Sequence, residues 1–352
     1  MKCDADIIVV GGGPAGAAAA IEARRSGASV ILLEADRYPR PRPGETIHGG
    51  ATAIFRQLGV EAAVERAAGA RYDSIKVNWA GRKSLDSPPT QPSKGGPPGF
   101  QVGRASLDEL LIERAESLGV DVRRPCRALR PLIDGAQIVG VRTDRSELTA
   151  TVLIDASGVG FWLSKGISLR EERASPRLIA RYGYCRSSDV GEFHMPTLTG
   201  DRAGWEWVAR VSNDVLAWVS LALPNGPPRP EKPKFLFDLV DIGPTRGADV
   251  TWRRVAACSG TGFFIAGDAA FRVDPAAGHG VLRALMSGMM AAYQAVESIR
   301  KNIPPDRASH LYRAWMAEWW ERDTSTLSSL YDELDPTWAR RQAGHVRAQS
   351  GG

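Results

Sequence analysis

The chain has 352 residues, is 43% hydrophobic and 24% charged, and carries a formal net charge of +5. That length suits one large core with an inserted region, or two domains, and the composition is ordinary for a soluble globular protein. No Lys/Arg run is dense enough to argue nucleic-acid binding, and no uninterrupted apolar run reaches the length of a membrane span; the basic excess suits an anionic ligand.

The predicted elements begin with Asp6-Ile7-Ile8-Val9-Val10, a short run apolar enough for a central parallel strand covered on both faces. It leads into Gly11-Gly12-Gly13-Pro14-Ala15-Gly16, then an Ala-rich helix to Arg25, a Gly27 stop, and a second strand, Ser29 to Leu33, closed by Glu34. The order strand, G-x-G-x-x-G, helix, strand, acid has a physical logic. Gly11 permits the tight turn, Gly13 lets a pyrophosphate approach the backbone, and Gly16 lets the helix pack close to the strand. The helix start offers unpaired N–H groups to phosphate, and Glu34 stands at about the distance of a ribose-binding acid. Three consecutive glycines and a proline make the stretch Ile7 to Ile21 structure rather than a leader.

Next comes Pro43-Gly44-Glu45-Thr46, with His48 just beyond it. Ser74 to Trp79 alternates as a strand, and Ser87 to Gly99 is a Pro/Gly-rich loop. Gln101 to Leu111 reads as a strand end followed by an amphipathic helix that starts near Arg104. Ala150 to Ile154 is a strand ending in Asp155-Ala156-Ser157-Gly158. Trp205 to Leu223 alternates like strands with one buried face, which places Trp205 and Trp207 side by side, and Pro224 to Lys234 is a second loop. Gly262 to Ala266 is an apolar strand ending in Gly267-Asp268. Asp274-Pro275-Ala276-Ala277-Gly278-His279-Gly280-Val281 then opens a long helix whose apolar stretch, Val281 to Val296, contains Arg283. Two further helices are expected over Ala308 to Arg322 and Ser325 to Leu334. Cys3, Cys126, Cys185 and Cys258 are scattered with no metal-ligand spacing, which predicts reduced thiols, no metal site and a cytoplasmic location.

Three of these motifs occur in the order seen in one family. The N-terminal G-x-G-x-x-G, the Arg104-x-x-Leu107-Asp108 helix, and Gly267-Asp268 followed by Pro275-x-x-Gly278-x-Gly280 resemble those of the flavin monooxygenases of the p-hydroxybenzoate-hydroxylase fold. The resemblance implies an α/β fold: a glutathione-reductase-like Rossmann FAD domain with an inserted β-sheet substrate domain and C-terminal helices. The expected FAD domain is discontinuous, residues 1–72, 100–160 and 257–302. Residues 73–99 and 161–256 are expected to form the substrate sheet, and 303–352 the closing helices. It further implies FAD contacts at Gly11, Gly13, Ala15, Gly16, Glu34, Arg42, Arg104, Asp155, Gly158, Gly267, Asp268, Pro275, Gly278, Gly280 and Val281. Arg104 would be a fixed positive fork near the pyrophosphate, and Asp268 would accept from a ribitol hydroxyl. The start of the last flavin helix would lie against the isoalloxazine.

Within that family, Pro43-Gly44-Glu45-Thr46, Asp155-Ala156-Ser157-Gly158 and Asp274-Pro275 are similar to the branch containing flavin-dependent halogenases, geranylgeranyl reductases and the maturases of quinone-cofactor oxidases. Halogenases carry W-x-W-x-I-P; here Trp205-Glu206-Trp207 is followed by Val208-Ala209-Arg210. They also use a lysine a few residues before an Asn-Trp pair; here Asn78-Trp79 is preceded by Arg71, Tyr72 and Asp73, with Lys76 nearby but poorly spaced. The expectation is a monooxygenase acting through a flavin hydroperoxide on an electron-rich ring. The ring would belong to an aromatic small molecule or to a tryptophan in a partner protein, and the reductant would be NAD(P)H or reduced flavin supplied by a flavin reductase. A halogenase, an alkene reductase and a non-enzymatic scaffold of the same fold are the alternatives. His279, His48 and Glu45 are the candidate proton-handling residues, and Trp205 and Trp207 the candidate substrate wall.

Overall fold

A computed structural model describes residues 3–37, 43–86, 98–187, 193, 195–340 and 342, with only the backbone of 83–86. Arg42 and nearly all of the expected Pro-rich loop lie outside these residues.

The apolar run at the start becomes the strand Ala5–Val10, whose Ile7, Ile8 and Val9 have no exposed surface. It sits in the middle of the main sheet, parallel to Val30–Leu33 on one side and to Glu147–Asp155 on the other; Glu147–Asp155 pairs in turn with Phe263–Ile265, also parallel. Such strands are buried on both faces, which is why these segments read as continuous apolar runs rather than alternating ones. The register aligns Val10 with Leu33 and with Asp155, and Asp155 with Ile265. Four segments far apart in sequence therefore end at one edge of the sheet. The loops that leave it carry Gly11, Glu34, Gly158 and Asp268. An antiparallel hairpin, Ala128–Asp134 and Gln137–Thr143, is attached to the Glu147–Asp155 strand.

Two helices lie against each other over this sheet, Pro14–Arg25 and Gly280–Ile299. Small residues allow the approach: a side chain on Gly288 would bring its first carbon within 1.9 Å of the Ala15 carbonyl oxygen. A second sheet is built by Ile179–Arg186, Val215–Ala222, Gly204–Arg210, Thr197–Asp201, Ile75–Trp79 and Arg82–Asp86, antiparallel apart from the parallel pairing of Thr197–Asp201 with Ile75–Trp79. Two short strands, Val240–Asp241 and Arg246–Asp249, extend it beside Ile179–Arg186.

At the C-terminal side the structure differs from the expectation of two helices. A single helix runs Pro305–Leu334. No glycine or proline interrupts the segment, and Thr324, where the break was expected, turns its hydroxyl back onto the Trp320 carbonyl at 2.8 Å and stays within the helix. Among the described residues, no helix is long and apolar enough to cross a membrane, and no group of three or more His, Cys, Asp or Glu could hold a metal ion.

Candidate active site

The gathered loops form a cradle. Gly11 has φ +103°, and a β-carbon there would stand 2.4 Å from the Ala156 carbonyl oxygen; one on Gly16 would stand 1.8 Å from that of Gly11. Only glycine lets the turn close onto the first helix and onto the neighbouring loop. At Gly13 and Gly280 an added β-carbon meets nothing within 4 Å. This is open space at the start of two helices, where N–H groups favour an anion. Glu34 is buried, accepts from the Gly12 N–H at 2.7 Å and from the Asp36 N–H at 2.8 Å, and so holds the turn to the end of the second strand. Pro275, Gly278 and Gly280 form an exposed rim, and a dinucleotide held here would set its pyrophosphate against Gly13, a ribose near Glu34 and a flavin along that rim.

Several expected cofactor contacts are occupied by the protein itself. Asp155 is fully buried, and its two oxygens accept from the backbone N–H groups of Ser157 and Leu163 at 2.9 and 3.0 Å, so it shapes the loop that carries Gly158. Arg104 forks onto Asp108 at 3.2 Å and reaches the Pro43 carbonyl at 3.2 Å, tying the Gly44–Glu45 loop to the helix Arg104–Ser117. Asp268 retains a half-exposed carboxylate, with one oxygen 3.3 Å from Arg283 Nη2.

The three proton-handling candidates differ in surroundings. Glu45 accepts from the Gly44 N–H and from the Tyr184 hydroxyl. Burial pushes its carboxyl up, and the bond from Tyr184 offsets part of that rise. His48 Nδ1 accepts from the Gly50 N–H at 2.8 Å, so a neutral His48 carries its proton on Nε2. Burial, and then the charge of nearby His279, push it down. His279 immediately precedes the helix Gly280–Ile299 and is buried. Its Nε2 lies 2.9 Å from Asp323 Oδ1, its Nδ1 is buried without a protein partner, and its ring is 5.5 Å from that of Trp319.

The two candidate substrate tryptophans separate. Trp205 is fully enclosed and donates to the Tyr331 hydroxyl at 2.8 Å, so its ring joins the second sheet to the C-terminal helix. Trp207, two residues on, is half-buried. Lys76 is exposed on its strand, whereas Trp79 is buried and donates to the Leu330 carbonyl.

Reading the sequence missed Asp323, Tyr184, Trp252 and Tyr331, which lie on elements distant in sequence from the motifs. Trp252 Nε1 donates to Asp274 Oδ2 at 2.9 Å, and the Asp274 carboxyl is pushed up to about 6 by burial. Arg283 did leave a signal: it is the one charge in the run from Val281 to Val296.

The fold and the open cradle suit a bound dinucleotide. The comparisons name the dinucleotide. The model of the family described as FAD dependent oxidoreductase matches residues 6–175, just under half of the chain. It is 29% identical to the 1H-pyrrole-2-carbonyl-[peptidyl-carrier protein] brominase of Pseudoalteromonas luteoviolacea over 84% of this chain and 78% of that one. Its fold is similar to that of the myxobacterial chondrochloren halogenase, with a TM-score of 0.84, 22% identity, and 96% of this chain and 85% of that chain covered. It is also similar to the peptidyl tryptophan dihydroxylase QhpG, essential for tryptophylquinone cofactor biogenesis, with a TM-score of 0.73, 22% identity, and 96% and 78% covered.

Proposed function

We propose that this chain is a flavin-dependent monooxygenase that inserts one oxygen atom into an electron-rich aromatic ring, an indole or a phenol. The ring belongs to a small molecule or to a tryptophan within a partner polypeptide. Bound FAD supplies the redox chemistry. In the overall balance one oxygen atom enters a ring C–H bond, the other leaves as water, and the electron pair comes from NAD(P)H or from reduced flavin delivered by a reductase. The ring proton must leave, and a proton must be supplied to the departing oxygen.

The observation that carries the reading is the pair of imidazoles. His279 offers a bare Nδ1, because Nε2 donates to Asp323. His48 offers an Nε2–H, because Nδ1 is taken by the Gly50 N–H. One is a proton acceptor and the other a donor, and each is oriented by a bond to its remaining nitrogen. Trp207, which is only half-buried, supports an aromatic substrate. FAD would be held by Gly11, Gly13, Glu34, Asp268 and the rim at Gly278 and Gly280. The cysteines, unpaired among the described residues, support a reducing, cytoplasmic setting.

Halogenation of the same ring is the second reading, favoured by the similarity to the brominase. Exposed Lys76, and the absence of Ile-Pro after Trp207, count against it.

The test is product analysis. FAD-loaded protein, a reductase and NADH are given isotopically labelled dioxygen with indole or tryptophan-containing peptides, with and without bromide. Labelled oxygen in the ring, lost by about a hundredfold or more in His279→Gln with FAD still bound, is the expected result. A brominated ring establishes the second reading instead. Reductant consumption with no ring product under either condition overturns both.

A further inference from the structure

A chain of charged groups runs from the proton acceptor to the cofactor cradle. His279 Nε2 donates to Asp323 Oδ1 at 2.9 Å, Asp323 Oδ2 accepts from Arg283 Nη1 at 3.0 Å, and Arg283 Nη2 reaches Asp268 Oδ1 at 3.3 Å. Arg283 follows His279 by one helical turn, which brings the two side chains to one face of the helix start. Asp323 comes from the far side, on the C-terminal helix. Arg283 and Asp323 are each only 2% exposed, so this part of the chain is dry. The Arg283 guanidinium also lies over the Phe271 ring at 4.5 Å, which fixes its plane.

The chemistry of the chain is directional. An ionised carboxylate only accepts hydrogen bonds. Burial alone would raise the Asp323 carboxyl, but the hydrogen bond from His279 and the charge of Arg283 outweigh it and hold the group below its ordinary range. A neutral imidazole facing that carboxylate must carry its proton on Nε2. The lone pair is then on Nδ1, the atom that has no protein partner. Arg283 is shared between two carboxylates, and one of them, Asp268, is the group expected to meet the cofactor. A ligand hydroxyl that donates to Asp268 weakens its hold on the shared guanidinium and leaves Arg283 more fully to Asp323.

We propose that Asp323 and Arg283 are positioning residues: Asp323 locks His279 in the tautomer with a bare Nδ1, and Arg283 ties that lock to FAD occupancy through Asp268. The proposal rests on the reading of His279 as the proton acceptor, and its test does not depend on turnover.

Two readouts and three variants test it. The tautomer of His279 is read by NMR of isotopically labelled histidine ring nitrogens, assigned by the signal lost in His279→Gln, and FAD affinity is read by flavin fluorescence. Asp323→Asn, whose amide can face Nε2 with either end, should populate the Nδ1–H tautomer and leave the FAD dissociation constant within about threefold. Asp268→Asn should weaken FAD by about tenfold, the scale of one charge-assisted hydrogen bond, and abolish the change in the His279 ring-nitrogen signals that FAD binding produces in the wild type. Arg283→Lys keeps the charge but loses the fork, and should alter both. Asp323→Glu, which retains a carboxylate, should restore the wild-type tautomer and serves if the Asn variant does not fold. A wild-type tautomer in Asp323→Asn, or an Arg283→Lys protein with both readouts unchanged, overturns the proposal. If the pattern holds but no ring is oxygenated, the positioning chain stands and the proposed reaction falls.

Discussion

Asp274 gives the sharpest quantitative prediction. It is fully buried beneath the loop that carries Pro275 and Gly278, and its oxygens accept from Trp252 Nε1 and from the Ala276 N–H, both at 2.9 Å. Burial still dominates and moves its carboxyl from an ordinary 3.8 up to about 6. At roughly 1.4 kcal/mol per pH unit, ionising it costs the folded state about 3 kcal/mol relative to the unfolded chain. The sign follows from proton binding. The folded state holds this proton more tightly, so the favourable contribution is full below the unfolded value near 3.8 and is lost as pH rises to about 6. Beyond that it is constant. The perturbation is Asp274→Asn, which cannot ionise. Its amide loses one acceptor, a penalty that does not depend on pH. Urea unfolding of both FAD-loaded proteins between about pH 4 and pH 7.5 isolates the group, because other titrations cancel in the difference. The variant should gain about 2 kcal/mol on wild type across that window, the rest of the change lying below it. A difference that is flat with pH would refute the assignment of a strained, buried carboxyl to this loop.

Three further outcomes are expected. Gly16→Ala places a β-carbon 1.8 Å from the Gly11 carbonyl oxygen, a backbone atom that cannot step aside, so FAD affinity by fluorescence titration should fall at least about tenfold; unaltered affinity would show that the turn can open. Trp205→Phe removes the bond to Tyr331 and should cost about 1–3 kcal/mol in denaturant unfolding without raising KM for an aromatic substrate; the reverse pattern would return Trp205 to the substrate wall. Tyr184→Phe strips the hydroxyl from buried Glu45 and should destabilise the protein by about 1–3 kcal/mol, more where Glu45 is ionised than where it is protonated, because the ionised carboxylate needs that donor more. A loss that does not vary with pH would mean that Glu45 keeps one protonation state throughout.

The sequence by itself determined the cofactor cradle. A parallel strand covered on both faces must be apolar throughout, a turn pressed against a neighbouring backbone must be glycine, and both demands are written locally in Ile7 to Gly16 and in Phe263 to Asp268. Strand registry at Val10, Leu33, Asp155 and Ile265 then brought these local signals to one edge. What the residues around the cradle do was decided only by tertiary structure, because their partners are remote. Trp205 and Trp207 alternate identically along one strand, yet the C-terminal helix covers the first completely and leaves the second half-buried. Asp155 and Arg104 sit in motif positions, but Asp155 spends its hydrogen bonds on the loop beside it, and Arg104 bonds to Asp108 of its own helix and to the Pro43 carbonyl. His279 stood out by its place between two glycines; its ring partner is Asp323, 44 residues away. Asp323 lies in a helix with no motif, and only packing brings it within hydrogen-bonding distance. Backbone conformation is constrained by adjacent residues, whereas the protonation and orientation of a side chain are set by whichever groups the fold carries to it.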